Sequence, residues 1–394
     1  MKFETQAIRL QMERSAQREH STPLFPTSSF VFEDAEQMRA IFADEQPGNV
    51  YSRYTNPNCR ELELKMAALE QTEDAMATAS GMAAVFAALM SFLQAGDHLI
   101  ATRALFGSTY KMLSNRLSRW GIETSFVHPT EPEAWSKALR PNTKMLFVET
   151  PSNPGLDIVD LEKAGTFAEA HGLIYCVDNC FATPYLQQPA HYGADLIVHS
   201  ATKFIDGQGR VVGGIVAGKA EQIAEVRAFC RSTGPALSPF NAWLLSKSLE
   251  TLAVRLDRHC QNAMVMAEFL QSRDEISRVN YPFLDSHPAQ AIAKKQMKMG
   301  GGLVTFELKG GLAAGRRFLD QLQLLSLSAN LGDTRTIATH PASTTHSKLS
   351  EEVRQEVGIT NGLVRLSIGL EHIDDVIADV SQALVACTQP ITKH

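Results

Sequence analysis

The chain has 394 residues, 44% of them hydrophobic and 20% charged, a balance that fits a large water-soluble globular protein of two or three domains. Its net charge of -6 and pI near 6.1 leave no basic excess to neutralise a phosphate backbone or an anionic lipid surface, so nucleic acid and membrane are excluded as expected partners.

From the N-terminus, MKFETQAIRLQMERSAQREHS carries charges throughout and has no apolar core, so it is not read as a secretory signal. No apolar run reaches the roughly 18 to 20 residues of a membrane span. Residues 1–60 are polar and irregular and end in NVYSRYTNPNCRELE, an arm leading into a helix. Residues 61–255 alternate helical patterns with short apolar runs and are expected to form a large domain. Residues 256–394, where helices mix with a few strands, are expected to form a smaller α+β domain.

Within the middle region, Met82 to Gln94 reads as a buried helix between Gly81 and Gly96-Asp97. The runs HLIAT (98–102), MLFVET (145–150), LIYCVD (173–178), DLIVHS (195–200) and GGIVAG (213–218) read as buried strands, and Leu105 to Trp120 and Asp160 to His171 have helical length. Strands alternating with helices predict a mostly parallel central sheet, an α/β fold. Ligands of such sheets bind beyond the carboxyl ends of the strands. Three polar clusters fall there: Glu149-Thr150-Pro151-Ser152-Asn153-Pro154, Asp178-Asn179 and His199-Ser200-Ala201-Thr202-Lys203.

The six cysteines (59, 176, 180, 230, 260 and 387) are scattered and form no CxxC pair, which fits free thiols in a reducing cytoplasm. Cys176 and Cys180 have no matching His or Cys pair nearby, and His340 and His346 in THPASTTH stand six residues apart without an added acid, so no metal is expected. GGIVAGK (213–219) imitates a phosphate loop, but Ala220 stands where a magnesium-binding hydroxyl is needed. GQGRVVGG (207–214) begins like a dinucleotide fingerprint, but its third glycine falls one position late.

Lys203, just beyond an apolar strand, suits an amine that forms an imine with an aldehyde cofactor, because burial keeps part of it neutral. Its alternative is a surface lysine opening a helix. Ser200 and Thr202 flank it with hydroxyls for a phosphate or for a helix cap. Ala79-Ser80-Gly81-Met82 opens the apolar helix, and amides at a helix N-terminus bind anions. Asp178 ends its strand with a carboxylate in a low-dielectric place, where a cation such as a protonated pyridine nitrogen would pair with it; the competing role is an N-cap. Phe106 can stack on a planar ring or fill the core, and Asn153 can bond a ring oxygen or mark a turn.

HSATKFIDGQGRVVGG, with YSRYTNP, ASGMAA, VETPSNP and VDNCFATP, closely resembles the Cys/Met-metabolism pyridoxal-phosphate enzymes, which include cystathionine synthases and lyases and homoserine-ester sulfhydrylases. The resemblance runs from about residue 20 to 385. It implies a type I pyridoxal-phosphate fold (aspartate aminotransferase-like), with pyridoxal 5'-phosphate as cofactor and Lys203 as the Schiff-base lysine and proton carrier. Asp178 would then sit on the pyridine nitrogen, Phe106 and Asn153 at the ring, and Ser80, Gly81, Met82, Ser200 and Thr202 at the phosphate. It further implies that Tyr51 and Arg53 reach the phosphate of a neighbouring subunit's cofactor, with Tyr51 also an acid/base helper, in a homodimer that doubles to a homotetramer. Arg365, in GLVRLSIGLE, matches the clamp for the substrate α-carboxylate, with Ser328 and Asn153 beside it. Two departures stand out: Phe106 replaces the tyrosine of most relatives, and Ser108 stands where methionine γ-lyases carry cysteine.

Together LFGST, GQGRVVGG and SANLGDTRTIATHPASTTH point, within that resemblance, to γ-replacement in methionine biosynthesis: O-succinylhomoserine and hydrogen sulfide giving homocysteine and succinate. The alternatives are the cystathionine γ-synthase reaction, with cysteine as nucleophile, and cleavage of cystathionine as by a γ-lyase. A binding protein that has lost turnover is disfavoured, because both Lys203 and Asp178 are present.

Overall fold

A computed structural model describes residues 1–388 apart from 346, 349 and 357. Seven strands form the larger sheet: β1 (Asp74–Thr78), β2 (His98–Thr102), β3 (Glu123–Val127), β4 (Thr143–Glu149), β5 (Ile174–Asp178), β6 (Leu196–Ser200) and β7 (Gly214–Gly218). Their spatial order is β1-β7-β6-β5-β4-β2-β3. Every pairing is parallel except those of β7, which runs against both β1 and β6. The sheet is therefore mostly parallel, as the strand-helix alternation predicts. The GGIVAG run is its one reversed strand.

The apolar runs are continuous because both faces of the sheet are covered. Successive side chains of a strand point to opposite faces. In β4, Met145 and Phe147 accordingly enter the core beneath the helices Gly81–Met90 and Ala220–Thr233, while Leu146 and Val148 enter the core beneath the helix Leu161–Ala170. All four are fully buried. Trimming Phe147 to Ala would cost about 3–5 kcal/mol.

Two predicted elements differ in detail. Between Leu105 and Trp120 the chain is α-helical only over Gly107–Lys111, then passes through a π turn (Met112–Arg116) and a 3-10 turn (Leu117–Trp120). The late start has a local cause, since Phe106 is extended at φ -52° and ψ 132° and gives its amide to a side chain on β4. The N-terminal 60 residues are less irregular than expected and include the helices Phe3–Arg9 and Ala35–Phe42.

The second sheet, in the order β10-β11-β12-β9-β8, comprises β8 (Ile276–Asn280), β9 (Leu303–Leu308), β10 (Ser326–Leu327), β11 (Ile337–Thr339) and β12 (Leu363–Ser367). The helix Leu252–Gln271 joins the two halves: Leu252, Leu256 and Cys260 pack in the core beside the large sheet, whereas Ala263, Met266 and Leu270 pack in that of the second sheet. The expected division after residue 255 thus runs through a helix shared by both cores. Among the described residues no helix is long and apolar enough to cross a membrane.

Candidate active site

With β7 reversed, six of the seven strands end at one edge, and β7 begins there. Glycine lets these ends approach one another. A Cβ on Gly81 would lie 2.5 Å from the Cβ of Ser200, and one on Gly214 would lie 2.1 Å from the carbonyl oxygen of Ser80, so no larger residue fits either position. Ser80 caps the Gly81–Met90 helix, its Oγ accepting the Ala83 amide at 3.1 Å. The first amides of that helix, at Gly81 and Met82, have no carbonyl within the helix to bond and present an anion site against Ser200. Thr202 Oγ1 lies 3.2 Å from the Gly213 amide, whose hydrogen bond it accepts, and so ties the turn of Lys203 to the start of β7.

That turn is fixed from below. Arg255, buried, donates to the carbonyls of Phe204 at 2.7 Å, Ile205 at 3.1 Å and Ser248 at 2.9 Å. From above, Gly332 (φ +76°) presses so closely that a Cβ would lie 2.6 Å from the Phe204 amide nitrogen. The Lys203 ammonium donates to Asn330 Oδ1 at 2.6 Å. Burial lowers its proton affinity below that of an ordinary lysine; Cys180 opposes this shift, and the positive charge of Arg365 reinforces it.

Asp178 and Glu149 end adjacent parallel strands in register. Burial pushes the Asp178 carboxyl up to about 6, against the Cys180 amide and the nearby His199, which favour its ionised form. Glu149 is held well above the usual carboxylate range, by burial first and then by the charge of Asp178. Its Oε2 accepts the Phe106 amide at 2.7 Å. Among the described residues neither carboxylate forms an ion pair with lysine or arginine. Behind them His199 Nε2 meets Glu70 Oε1 at 2.5 Å in full burial.

Arg365 enters from β12. It is 6% exposed, and burial brings its guanidinium down to about 10. It donates to Asn153 Oδ1 at 3.0 Å and to the carbonyls of Ala329 and Asn330 at 3.3 and 3.2 Å, while its Nε is buried without a partner. The sequence calls for an anion here, and no carboxylate of the described residues supplies one. Ser328 Oγ accepts the Asn330 amide at 3.2 Å, so within the chain it shapes the loop that carries Asn330.

Contacts link the site residues in series: Gly81 against Ser200, Cys180 between Asp178 and the Ser200 carbonyl, and Lys203 on Asn330, whose carbonyl accepts from Arg365, which also reaches Asn153. Phe106 stands at the rim of the site, 43% exposed. Tyr51 and Arg53 stand apart. Tyr51 is 44% exposed, and Arg53 lies 4.5 Å over the Tyr54 ring and donates to the Arg231 carbonyl. His340 uses both ring nitrogens, on Ser343 Oγ at 2.7 Å and the Asn361 carbonyl at 2.9 Å; His346 lies outside the described residues. Glu149, placed by the sequence in a strand-end cluster but given no role, and Asn330, given none, join the site residues. A polar residue two positions before Gly332, and the first residue of ETPSNP at a strand end, were the available signals.

A buried carboxylate with no lysine or arginine partner among the described residues, an amine whose proton affinity burial lowers and a helix N-terminus are the groups that pyridoxal phosphate would need: Asp178 for its ring nitrogen, Lys203 for its aldehyde carbon, and the Ser80–Met82 turn with Ser200 for its phosphate. Residues 4–385 match the family described as Cys/Met metabolism PLP-dependent enzyme. The chain is 48% identical to an O-succinylhomoserine sulfhydrylase of Pseudomonas aeruginosa, over 98% of this chain and 95% of that one. It is 45% identical to an L-methionine gamma-lyase of Fusobacterium nucleatum, over 92% of each. A Campylobacter jejuni crystal structure that carries the name of an O-acetylhomoserine (thiol)-lyase, with a pyridoxyl-lysine phosphate in its chain, superposes with a TM-score of 0.94 at 37% identity, covering 98% of this chain and 100% of that one.

Proposed function

The chain belongs to the Cys/Met metabolism PLP-dependent enzyme family, and from that membership we propose that it catalyses γ-replacement on O-succinylhomoserine, hydrogen sulfide displacing succinate to form homocysteine in methionine biosynthesis. The supporting observation is the Lys203 amine, held 2.6 Å from Asn330, between a buried carboxylate that lacks a cation and a buried guanidinium that lacks an anion. The 48% identity to the Pseudomonas sulfhydrylase supports the choice of substrate.

Pyridoxal phosphate, when bound, supplies an electron sink for charge developing at the substrate Cα and Cβ. The residues do the rest. Arg365 takes the α-carboxylate bidentately, a geometry that guanidinium suits, and Asn153 fixes its plane. Asp178 would hold the ring nitrogen protonated, which keeps the sink deep. Lys203 would carry the cofactor at rest and, once displaced by the substrate amine, take the Cα proton; its depressed proton affinity favours the neutral amine that a base needs. Asn330 would hold that amine by its amide oxygen. A Cβ proton would also be removed so that succinate can leave Cγ with its bonding pair; hydrosulfide would add at Cγ as the thiol, and protons returned to Cβ and Cα would complete homocysteine.

Succinate leaves as a carboxylate and needs no acid, so Phe106, without a hydroxyl, suffices at the ring face. A thiolate leaving group is more basic by about four pKa units and would gain from a donor there. Tyr51 and Arg53, apart from Lys203 within one chain, are assigned to the cofactor phosphate of a neighbouring subunit, with Tyr51 assisting proton transfer, in a cytoplasmic homodimer or homotetramer that acts as a transferase.

The similarity to methionine γ-lyases supports a second reading, γ-elimination from L-methionine. Turnover with the succinyl, acetyl and phosphoryl esters of homoserine, each with sulfide or cysteine, and with L-methionine alone, decides between them. The highest kcat/KM is expected for the succinyl ester with sulfide. Faster 2-oxobutanoate release from methionine would replace this function with the lyase, and faster cystathionine formation would replace sulfide with cysteine.

A further inference from the structure

We infer that Glu70 is a positioning residue for the reaction, holding together from below the strand ends that carry Asp178 and Lys203. The last register pair between β5 and β6 is Asp178 with Val198, and the next residues, Asn179 and His199, are tied by a side chain from a third element, the helix Pro57–Glu70. Glu70 Oε1 accepts from Asn179 Nδ2 at 2.9 Å and lies 2.5 Å from His199 Nε2. A proton must lie between that oxygen and that nitrogen, whichever carries it, because two lone pairs would repel at this distance. One oxygen therefore bridges both strand ends. Gln187 extends the network to the end of β4: its Nε2 donates to Asn179 Oδ1 at 2.9 Å and to the Thr150 carbonyl at 3.0 Å, and its own carbonyl accepts from Asn179 Nδ2 at 2.9 Å. Every member is at most 1% exposed.

Its placement gives the network a bearing on the chemistry. Asn153, Asp178 and Lys203 lie within four residues of Thr150, Asn179 and His199 respectively. A buried acid and imidazole are costlier than apolar side chains of the same volume, so a hub that only filled space under the sheet would be apolar. Glu70 Oε2 and His199 Nδ1 are buried without a partner, so trimming Glu70 leaves the His199 ring, among the described residues, with no hydrogen bond. Groups that must be held to within about 0.5 Å depend on such a supporting shell. The Lys203 amine has to meet a single hydrogen of the substrate, and Asp178 a single ring nitrogen.

The inference rests on Lys203 and Asp178 acting as proposed, and its test separates the two. Holoenzymes of the parent, Glu70→Ala, Glu70→Gln and His199→Phe are compared by exchange of the Cα hydrogen of L-alanine in deuterated water, which needs neither a leaving group nor sulfide. Steady-state kinetics with O-succinylhomoserine and sulfide, and retention of pyridoxal phosphate on dilution, followed by the absorbance of the lysine-bound cofactor, complete the comparison. Losing a buried hydrogen-bond partner predicts that Glu70→Ala and His199→Phe each slow exchange and kcat about tenfold and weaken cofactor retention severalfold. Both KM values should stay within about twofold of the parent, because Arg365 stands on the second sheet. Glu70→Gln keeps an oxygen at the hub and is expected to recover most of the loss, to within about threefold of the parent. If exchange, kcat and cofactor retention all stay within about twofold of the parent in Glu70→Ala and His199→Phe, whatever the melting temperature does, the pair is a structural part only and the inference is overturned. Should Glu70→Ala not fold, His199→Phe alone decides. A parent that exchanges no Cα hydrogen would overturn the assignment of Lys203 instead.

Discussion

On the large-sheet side the buried ionisable groups are acids, Asp178 with Glu149 in register beside it; on the second-sheet side the buried group is a base, Arg365 on β12. The two do not neutralise each other. Arg365 reaches the amide oxygen of Asn153 and two backbone carbonyls, while the Asp178 carboxylate accepts the Cys180 amide at 3.1 Å and, among the described residues, no lysine or arginine. Burying an unpaired charge is costly, and here the fold does so twice, with opposite signs, across one gap. Such a gap suits a ligand pair that brings a cation to one wall and an anion to the other, as a protonated pyridine ring and an amino-acid carboxylate do. Lys203, bonded to Asn330, sits where those two ligands meet.

The sharpest way to break this contrast is Asp178→Asn, which makes the negative wall neutral. Losing the partner of a buried charge costs about 3–5 kcal/mol, so kcat/KM should fall by about 100- to 4,000-fold. The stability of the cofactor-free protein should move the opposite way. A carboxyl raised from 3.8 to about 6 in the fold is favoured protonated, so its contribution is fully present below about pH 4 and lost as pH rises through about 6. The loss is on the order of 3 kcal/mol. Melting of the cofactor-free parent should therefore weaken between pH 4 and 7. Asp178→Asn should flatten that slope and melt higher at pH 7, and a parent melting profile that rises over this range would contradict the assignment.

Weakening the positive wall should have a smaller and differently divided effect. Arg365→Lys keeps the charge but loses the planar fork, so the KM for the amino-acid substrate should rise about 10- to 100-fold while kcat stays within a few-fold. Steady-state kinetics at saturating sulfide measures this, and an equal loss in kcat would place Arg365 in the chemistry rather than the clamp. The mildest change is Asn330→Ala, which leaves both walls intact and removes the acceptor of the lysine. A hydrogen bond to a charged group is worth about 1.5–3 kcal/mol, so a fall in kcat of about tenfold or somewhat more is expected. The kinetic isotope effect with substrate deuterated at Cα should grow, because the hold on the proton carrier is loosened. An unchanged isotope effect with unchanged kcat would remove Asn330 from the proton path.

Much of the negative wall was legible in the chain. LIYCVD and DLIVHS are continuous apolar runs that end in polar residues, so Asp178 and Lys203 stand at strand ends by pattern alone. The strand β1, DAMAT, has one branched residue, Thr78, and no aromatic one to mark it as a strand, and β3 is only partly buried; neither stood out. The direction of β7 is invisible to periodicity, because a strand's pattern is the same read either way. Asn330 lies 127 residues from the lysine it holds, in a loop with no periodic signal, and the Phe106 amide and Glu149 are 43 residues apart.

By itself the sequence determined five of the seven strands of the large sheet, the edge at which the polar residues gather and the family, because hydrophobic period and contiguous motifs are local properties of the chain. Tertiary structure alone decided which buried charges remain without a partner, which side chain holds the Phe106 amide, and which holds the Lys203 ammonium. Those are matters of distance and desolvation between residues far apart along the chain, and they exist only once the two sheets have closed on each other.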